Sequence, residues 1–384
     1  MRLLWALGIF GGLLLSGLVG QAMAQTVNGA GITFANDGSS LTIGGRIHAD
    51  GVFVDGDVTP LADEGDLRRL RLDGDFRFGK KWRVLLDANI GANNFATKNV
   101  WLSYKGDKGE RYRLGRFVVP LDGEYLTSSN DIKLMERSLA VALASQYMVG
   151  GAASLSRDQW QFSGGVFAPL SKKGPLAFSE NQQAVIGRFA YYPVQNDQQL
   201  WQFVLGVERR WLEDGAVMRV RTRPEFGLSS VRLLDTANLV GVSAYSNYLF
   251  EAAYMQGPLL LRAKHIERVS DAPALGDPRF NGSAIEAAFV VSGEDQRFKD
   301  GKFKSVRPQN SYGVLELAAR YSRLDLNDGL VMGGMEENWT LGANWYLTGN
   351  IRLMANYIHA QTDPGANGQV ENINALSTRF QINF

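Results

Sequence analysis

The chain has no cysteine and only three histidines among its 384 residues. Without cysteine there can be no disulfide framework, thiol nucleophile or thiolate metal site. The histidines, His48, His265 and His359, lie far apart, and neither an HExxH motif nor a phosphate-binding glycine loop is present. Distant strands could still assemble a Ser/His/Asp centre, but no residues stand out for one. We therefore expect no enzymatic activity, no catalytic residues, no cofactor and no metal.

The chain also lacks an excess of charge of either sign. Lys and Arg number 40, and Asp and Glu number 39. No net charge attracts nucleic acid, so any charge selectivity must come from where the residues lie. Mean hydropathy is −0.14, and long apolar runs are absent beyond the N-terminus. This combination excludes a bundle of membrane-spanning helices.

The one long apolar run has the features of a secretory signal peptide, residues 1–24. Arg2 supplies the positive start, residues 3–19 are apolar, and a small-x-small cleavage site ends the run at residues 22–24. The run is long enough to be an anchoring helix instead, but the cleavage site favours removal. Residues 25–38 are then a polar periplasmic leader.

Glycine and aromatic residues, by contrast, are abundant, with 43 glycines and 11% aromatics, which indicates many short strands with tight turns. In residues 67–78 nearly every second position is apolar, and the residues between are mostly Arg or Asp. This alternation recurs to the C-terminal strand, residues 375–384. Short turns at one end of the strands and longer loops at the other are typical of an outer-membrane barrel.

We predict an all-β fold, a transmembrane antiparallel β-barrel formed by residues 39–384 in the outer membrane of a Gram-negative bacterium. Bacterial single-chain barrels have an even number of strands. The segments give sixteen if residues 217–224 belong to a loop, and an eighteen-strand barrel with a further strand near 231–240 stays open. The last strand ends in Phe384 and resembles the signal that the barrel-assembly machinery recognises.

One segment breaks the strand pattern. Residues 115–138 begin as a strand, break at Pro120 and continue as a long polar stretch. A connection of this length in a repetitive β pattern is usually functional or disordered. We interpret it as a constriction loop that folds back into the barrel, with residues 123–138 setting the narrowest radius.

Three arginines form the first candidate anion site. Arg219, Arg221 and Arg223 are spaced by two, so in an extended chain all three face one way. Guanidinium groups bind phosphate oxygens through paired hydrogen bonds and stay charged. The alternative is a solvated loop face, or pairing with neighbouring carboxylates.

A second cluster consists of Arg68, Arg69 and Arg71, and nearby aspartates could neutralise it. Arg46 on the first barrel strand stands alone and carries little weight by itself. The three lysines within residues 299–304 fall in a polar turn, and we assign them no role.

Several stretches, in this order, resemble the phosphate-selective porins O and P. They are LTIGGRIHAD (41–50), GRFVVPLDGEYLTSSNDIKLMERS (115–138), RTRPEF (221–226), FVVSGEDQRFKDGKF (289–303) with GVLELAARYSRLDL (313–326), and WTLGANWYL (339–347) with NIRLMANYIHA (350–360). The resemblance implies a sixteen-stranded barrel, usually trimeric, with a pore narrowed by an inward-folded loop. It also implies an arginine ladder along one wall, with lysines that help to recruit the anion.

Together with the clusters above, the resemblance gives a set of candidate site residues. The anion pathway would comprise Arg46, Arg68, Arg69, Arg71, Arg137, Arg219, Arg221 and Arg223. The constriction loop would contribute Asp122, Glu124, Thr127, Ser128, Lys133 and Glu136.

These expectations describe a passive outer-membrane channel for small anions, with phosphate or phosphorylated solutes preferred. Its partners would be small anions, outer-membrane lipid and two further copies in a homotrimer, with no nucleic acid. Two alternatives stay open. One is a general, weakly selective porin for small polar solutes, and the other is a non-conducting structural or adhesive barrel.

Overall fold

The structure is a computed structural model, and it describes residues 24–28, 31–36, 38–91, 94–171 and 176–384. The predicted signal peptide lies almost entirely outside the described residues. None of the helices in the described ranges is long and apolar enough to cross a membrane. The strands are β1 (Ala24–Asn28), β2 (Gly31–Asn36), β3 (Ser39–Gly56), β4 (Glu64–Phe78), β5 (Trp82–Gly91), β6 (Asn94–Lys105), β7 (Glu110–Val118), β8 (Tyr147–Ser156), β9 (Trp160–Ala168), β10 (Gln182–Gln195), β11 (Gln199–Leu212), β12 (Arg221–Thr222), β13 (Leu234–Asp235), β14 (Ala244–Gln256), β15 (Leu259–Asp271), β16 (Arg279–Val290), β17 (Arg297–Lys299), β18 (Lys302–Lys304), β19 (Val314–Asp328), β20 (Val331–Tyr346), β21 (Ile351–Thr362) and β22 (Glu371–Asn383).

Sixteen of these strands close into one antiparallel barrel. They are β3–β11, β14–β16 and β19–β22, each paired with the next, and β22 closes the barrel on β3 with Arg379 opposite Asp50. Residues 217–240 form a loop that contains the two-residue pair β12–β13 and an isolated bridge between Met218 and Leu239, but no barrel strand. The prediction of a sixteen-stranded barrel is confirmed, and the eighteen-strand alternative is wrong.

Burial along the strands is the reverse of that in a protein with an apolar core. Arg352 and Arg379 are among the largest fully buried side chains, whereas Leu205, Trp339 and Leu341 are each more than half exposed. Strand alternation therefore directs apolar side chains outwards and polar ones inwards. An outward apolar band around a polar interior is the arrangement of a membrane barrel.

Strand β7 follows this alternation, although it places one arginine, Arg116, on the outer face. Tyr112 and Leu114 are 53% and 67% exposed on the outer face, so Arg113 between them faces the lumen. Arg116 continues the outward series, and its Nη1 donates to Oγ1 of Thr97 at 2.6 Å. The sequence pattern alone leaves this register ambiguous, because an arginine falls on the apolar face.

Two connections differ from the expected plan. Most turns at one end of the barrel have two to four residues, but residues 291–313 at that end form a long connection that carries the hairpin β17–β18. In the predicted leader, the described residues form the hairpin β1–β2, and β2 pairs with the start of β3. The long connection positions lysines in the lumen, as described below.

Candidate functional site

The constriction loop, residues 119–146, leaves β7 and runs into the lumen. Pro120 has no N–H for the ladder and interrupts the strand. Asp122 then caps a single helical turn, Gly123–Leu126, by accepting two backbone N–H groups of that turn. A turn of 3-10 helix, Leu139–Leu143, packs against β16 and β19 before the chain returns to β8.

One side of the loop is fastened to the wall formed by the later strands. Nζ of Lys264 lies 2.7 Å from Asp122 and 2.6 Å from Glu124. Lys133 is buried with its Nζ 2.9 Å from Glu316. These charges are paired inside the protein, as buried charges must be. The predicted loop residues Asp122, Glu124 and Lys133 therefore anchor the loop and do not line the open lumen.

Glu136 of the loop is shared by three arginines. Arg68 donates Nε and Nη2 to its two oxygens at 3.1 and 3.2 Å, and the Nη2 atoms of Arg69 and Arg379 lie 3.6 and 3.2 Å away. Burial alone would raise the pKa of Glu136, but the three guanidinium groups together hold the pKa below its ordinary value. Glu136 thus stays charged and neutralises part of the predicted arginine set.

The other side of the loop faces an open cavity of about 1190 Å³ inside the barrel. Among the described residues, seventeen Lys and Arg line it against five Asp and Glu, although the whole chain carries a formal charge of only +1. The cations are Arg46, Arg68, Arg69, Arg71, Arg77, Arg83, Lys98, Arg111, Arg113, Arg137, Arg188, Arg221, Arg223, Arg232, Lys299, Lys302 and Lys304, and the acidic residues are Asp73, Asp87, Glu136, Glu225 and Asp300. Cations therefore outnumber acidic groups on this side of the lumen, although Arg77 and Arg83 pair with Asp75, and Arg188 pairs with Glu251, outside the lining.

The tip of the loop combines a guanidinium group with two hydroxyl groups. Nη1 of Arg46 donates to Oγ of Ser128 at 3.0 Å and to Oγ of Ser129 at 3.3 Å. Because both serine oxygens accept from Arg46, their own O–H groups are left to donate. Charge and hydroxyl donors at one place suit an anion.

Arg137 turns back onto the loop that carries it. Its Nε and Nη2 donate to the backbone carbonyls of Glu124 and Thr127, each at 2.8 Å, and its guanidinium carbon lies 5.1 Å from the ring centre of Tyr125. Carbonyl groups carry no net charge, so the positive charge of Arg137 still acts on the cavity. The hydroxyl of Thr127 donates to the carbonyl of Gly123 at 2.8 Å, so this predicted residue supports the helical turn.

The three arginines at spacing two do not all face the lumen. Arg219 turns away and binds Asp235 through two hydrogen bonds, at 2.7 and 2.5 Å, and it is absent from the described lining. Arg221 and Arg223 line the cavity, and they are joined by Arg232 from the same loop. Only Arg221 and its neighbour are in a paired strand, so the extended geometry behind the prediction is not maintained.

The hairpin β17–β18 brings lysines that sequence reasoning missed. Lys299, Lys302 and Lys304 line the cavity, and Nζ of Lys304 lies 3.1 Å from Asp131 of the constriction loop. Burial, together with nearby arginines of β5 and β7, lowers the pKa of Lys302 to about 8. Nothing in the sequence of this polar segment indicated that it would enter the barrel from the end with the short turns.

A further group of cations lies near the same end, on β5 and β7. The guanidinium carbon of Arg113 lies 4.5 Å from the ring centre of Trp101 and 5.1 Å from that of Phe117, and that of Arg83 lies 5.4 Å from Trp101. Arg111 lines the cavity beside them. The alternation of β7 would have predicted these two positions, because Arg111 and Arg113 lie on the face opposite Tyr112 and Leu114.

The chemistry that this lumen offers is the binding of anions. Its lining offers fixed positive charge and hydrogen-bond donors, and the described lining residues include no histidine. Across the described ranges, no group of three or more His, Cys, Asp and Glu side chains is arranged to hold a metal ion. Such a surface can attract, desolvate and release anions.

Comparison with known proteins agrees with this geometry. Residues 41–384 match the family described as phosphate-selective porin O and P. The chain belongs to this family. It is 24% identical to Porin O of Pseudomonas aeruginosa over 437 residues, covering 99% of each chain.

Solved structures of outer-membrane proteins share the fold of this porin. The anion-selective porin of Comamonas acidovorans superposes with a TM-score of 0.56 at 15% identity, covering 90% of this chain and 100% of that one. The trimer form of OmpT, an outer membrane protein of Vibrio cholerae, gives a TM-score of 0.52 at 11% identity, with coverage of 90% and 100%. Family and fold together identify this porin as a channel of the Gram-negative outer membrane.

Proposed function

We propose that this porin is a passive channel for small anions, with phosphate and phosphorylated solutes preferred. The observation that carries the proposal is the excess of cations in the open lumen, seventeen against five acidic groups, in a chain with balanced charge. A cleft lined by one sign of charge concentrates ions of the opposite sign. The opposite wall competes less, because its carboxylates Glu124 and Glu316 are already paired with Lys264 and Lys133.

The cations form successive stations along the lumen. Arg221, Arg223 and Arg232 lie on the loop between β11 and β14, Arg46 meets the hydroxyl groups at the tip of the constriction loop, and the lysines of β17–β18 lie towards the opposite end. An anion passes from one to the next, with guanidinium and hydroxyl donors replacing its lost water. Several weak sites in series allow both binding and release.

The comparisons support two parts of the proposal. The Comamonas acidovorans porin is described as anion-selective, and the family of this chain is described as phosphate-selective. The Vibrio cholerae OmpT structure is a trimer form. We extend both properties to this porin as hypotheses, with three copies each carrying its own lumen.

A general, weakly selective porin is the second candidate function. Glu136 supports it, because this carboxylate is shared by Arg68, Arg69 and Arg379 and reduces the charge near the loop. A non-conducting structural barrel is less consistent with the open cavity of about 1190 Å³, since a sealed barrel needs its interior charges paired.

The decisive experiment is conductance of the purified protein in a planar bilayer under a potassium chloride gradient, followed by titration with phosphate. We expect an anion-selective current that phosphate blocks. Arg221→Ala should weaken the block about tenfold, the scale of one lost charge-assisted hydrogen bond. Arg219→Ala is the matched control, since Arg219 is paired with Asp235 away from the cavity, and should leave the block unchanged. An unselective current that ignores phosphate would overturn the proposal.

A further inference from the structure

We infer that His48 is a positioning residue that sets both the tip of the constriction loop and the direction of a lumenal arginine. The inference rests on the proposed anion channel. His48 is fully buried on the inner face of β3. His265, by contrast, is exposed on the outer face and contacts only Ser283 at 2.8 Å among the side chains described.

Both ring nitrogens of His48 are engaged. Nδ1 lies 3.2 Å from Nη1 of Arg69, and Nε2 lies 3.0 Å from Oδ1 of Asn130 in the constriction loop. Arginine can only donate, so Nδ1 must accept. In a neutral ring the proton then lies on Nε2, which donates to the Asn130 oxygen. The two partners thus fix one tautomer of the ring, and the ring fixes the orientation of both partners.

The first arm of this arrangement, by which we mean the contact of His48 with Asn130, holds the tip of the constriction loop. Asn130 directly follows Ser128 and Ser129, to which Arg46 donates from the same strand as His48. The backbone oxygen of Asn130 also accepts from Oγ of Ser305 at 2.7 Å. Because β3, the constriction loop and the residue after β18 meet at Asn130, its position helps to place Ser128 and Ser129, which line the cavity.

The second arm, the contact of His48 with Arg69, sets the orientation of the Arg69 guanidinium group. Its Nη1 is held by His48, while its Nη2 lies 3.6 Å from Glu136. That separation is longer than a hydrogen bond. If the histidine acceptor is removed, the guanidinium group is free to close on Glu136. The lumen would then lose part of the positive charge that Arg69 supplies.

Two conservative substitutions separate the arms. The amide oxygen of asparagine can replace Nδ1 of the ring, whereas the amide nitrogen of glutamine can replace Nε2. His48→Asn therefore keeps the acceptor for Arg69 and loses the donor to Asn130, and we expect altered single-channel conductance with a reversal potential close to wild type. His48→Gln keeps the donor and loses the acceptor, and we expect the reversal potential to shift towards zero. Its phosphate block should weaken by about tenfold, the scale of one misdirected charge-assisted hydrogen bond.

Glu136→Gln supplies an independent check of the second arm. Once the carboxylate is removed, Arg69 has no anionic partner at this position to close on. Adding His48→Gln to Glu136→Gln should therefore shift the reversal potential much less than adding it to wild type. His265→Gln, on the outer face, is the matched control and should behave as wild type. Assembly of each variant is checked by the heat-modifiable migration of the folded barrel.

The outcomes are separable from those of the proposed function. If wild type is not anion-selective, the proposed channel function fails, and the conductance of His48→Asn still tests the loop-tip arm. If wild type is anion-selective and both His48 variants match it, the inference is overturned. It is also overturned if both variants change conductance and reversal potential alike, because His48 would then only support the fold.

Discussion

Among the described residues, the lumenal cations are of two kinds, thirteen arginines with fixed charge and four lysines, a residue type that can lose its charge when it is buried. Lys302 on the hairpin is the clearest case of the second kind. Burial and the nearby Arg113 lower its pKa to about 8, so it is mostly protonated at neutral pH and mostly neutral at pH 9. One end of the channel therefore carries a charge that changes within a mild pH range.

This difference predicts a pH-dependent selectivity. Lys302 attracts anions below its folded pKa and stops doing so above it, so anion selectivity should decline as the pH rises from about 7 to about 9. Reversal potentials measured in potassium chloride report this anion selectivity, and the pH-dependent charge of phosphate does not affect them. The decline should be smaller in Lys302→Gln, and smaller still when Lys98, which lines the same cavity, is also replaced. Lys108→Gln in an exposed turn is the control, and an unchanged decline in Lys302→Gln would contradict the assignment.

For individual residues, the sequence could predict which face of a strand a side chain occupies, but not its distant partners. Arg46 and Arg221 lie in the cavity lining, as alternation and family resemblance suggested. Arg219 has the same spacing but binds Asp235, sixteen positions later, and no period in the sequence shows that contact. Lys302 was missed because a polar turn does not reveal whether it enters the barrel or stays in solvent.

At the scale of elements, two inward-folded segments meet at Asp131. Its Oδ2 lies 3.1 Å from Nζ of Lys304, and its Oδ1 accepts from the backbone N–H of Ser305 at 3.0 Å. The constriction loop comes from one end of the barrel and the hairpin connection from the other. Asp131 therefore both docks the hairpin and neutralises one of the lumenal lysines.

These two roles of Asp131 can be separated. Asp131→Asn keeps an acceptor for Ser305 but releases Lys304 from its counter-ion, so we expect stronger anion selectivity with little change in conductance. Asp131→Ala also removes the acceptor, so the hairpin should be held less firmly and the open-channel current should be noisier. Both are measured in single-channel recordings. Asp107→Asn, in an exposed turn with Lys81, is the control.

The result that would contradict this account is equal behaviour of Asp131→Asn and Asp131→Ala. The ion pair is partly exposed, with 30% of the Lys304 side chain accessible, so its contribution to stability is small, about 0–1 kcal/mol. The expected effect is therefore on the field in the lumen, and the barrel should assemble normally.

The elements themselves were largely predictable, because side-chain alternation in a strand has a fixed period of two. The strands and the inward loop after Pro120 follow from that pattern and from its interruption. The hairpin β17–β18 could not be predicted in this way, because six paired residues are too few to show a period. Bulges also cannot be read from the alternation pattern. The register shift between His48 and Ala49, opposite β4, is one example. It brings both Arg68 and Arg69 to the inner face.

At the scale of the whole molecule, folding separates the charges of a nearly neutral chain, so that one side of the lumen is lined mainly by cations. Carboxylates of the loop and of the later strands pair with cations such as Lys264 and Lys133, which buries them against one wall. The remaining cations are left on the open side. The contacts that achieve this join residues 142 and 183 positions apart, which is why overall composition gave no indication of the polarity.

That sorting predicts how selectivity responds to salt. The Debye length is about 10 Å at 0.1 M salt and about 3 Å at 1 M, so the field of the lumenal cations reaches across the cavity only in dilute electrolyte. Reversal potentials measured at a fixed ratio of potassium chloride across the bilayer should therefore fall towards zero as the mean concentration rises. Conductance should rise less than proportionally, because anions already accumulate in the lumen at low salt.

Phosphate block should persist further into high salt than chloride selectivity does. Direct hydrogen bonds from Arg46 and the hydroxyl groups of Ser128 and Ser129 act at contact distance and are screened less than the field. A permeability ratio that is constant between low and high salt would show that selectivity comes from contact sites alone. In that case the lumenal arginines of β7 would contribute little through their field, and Arg111→Ala should leave selectivity unchanged at every salt concentration. If the field is the cause, Arg111→Ala should lower selectivity in dilute salt and have no effect in concentrated salt.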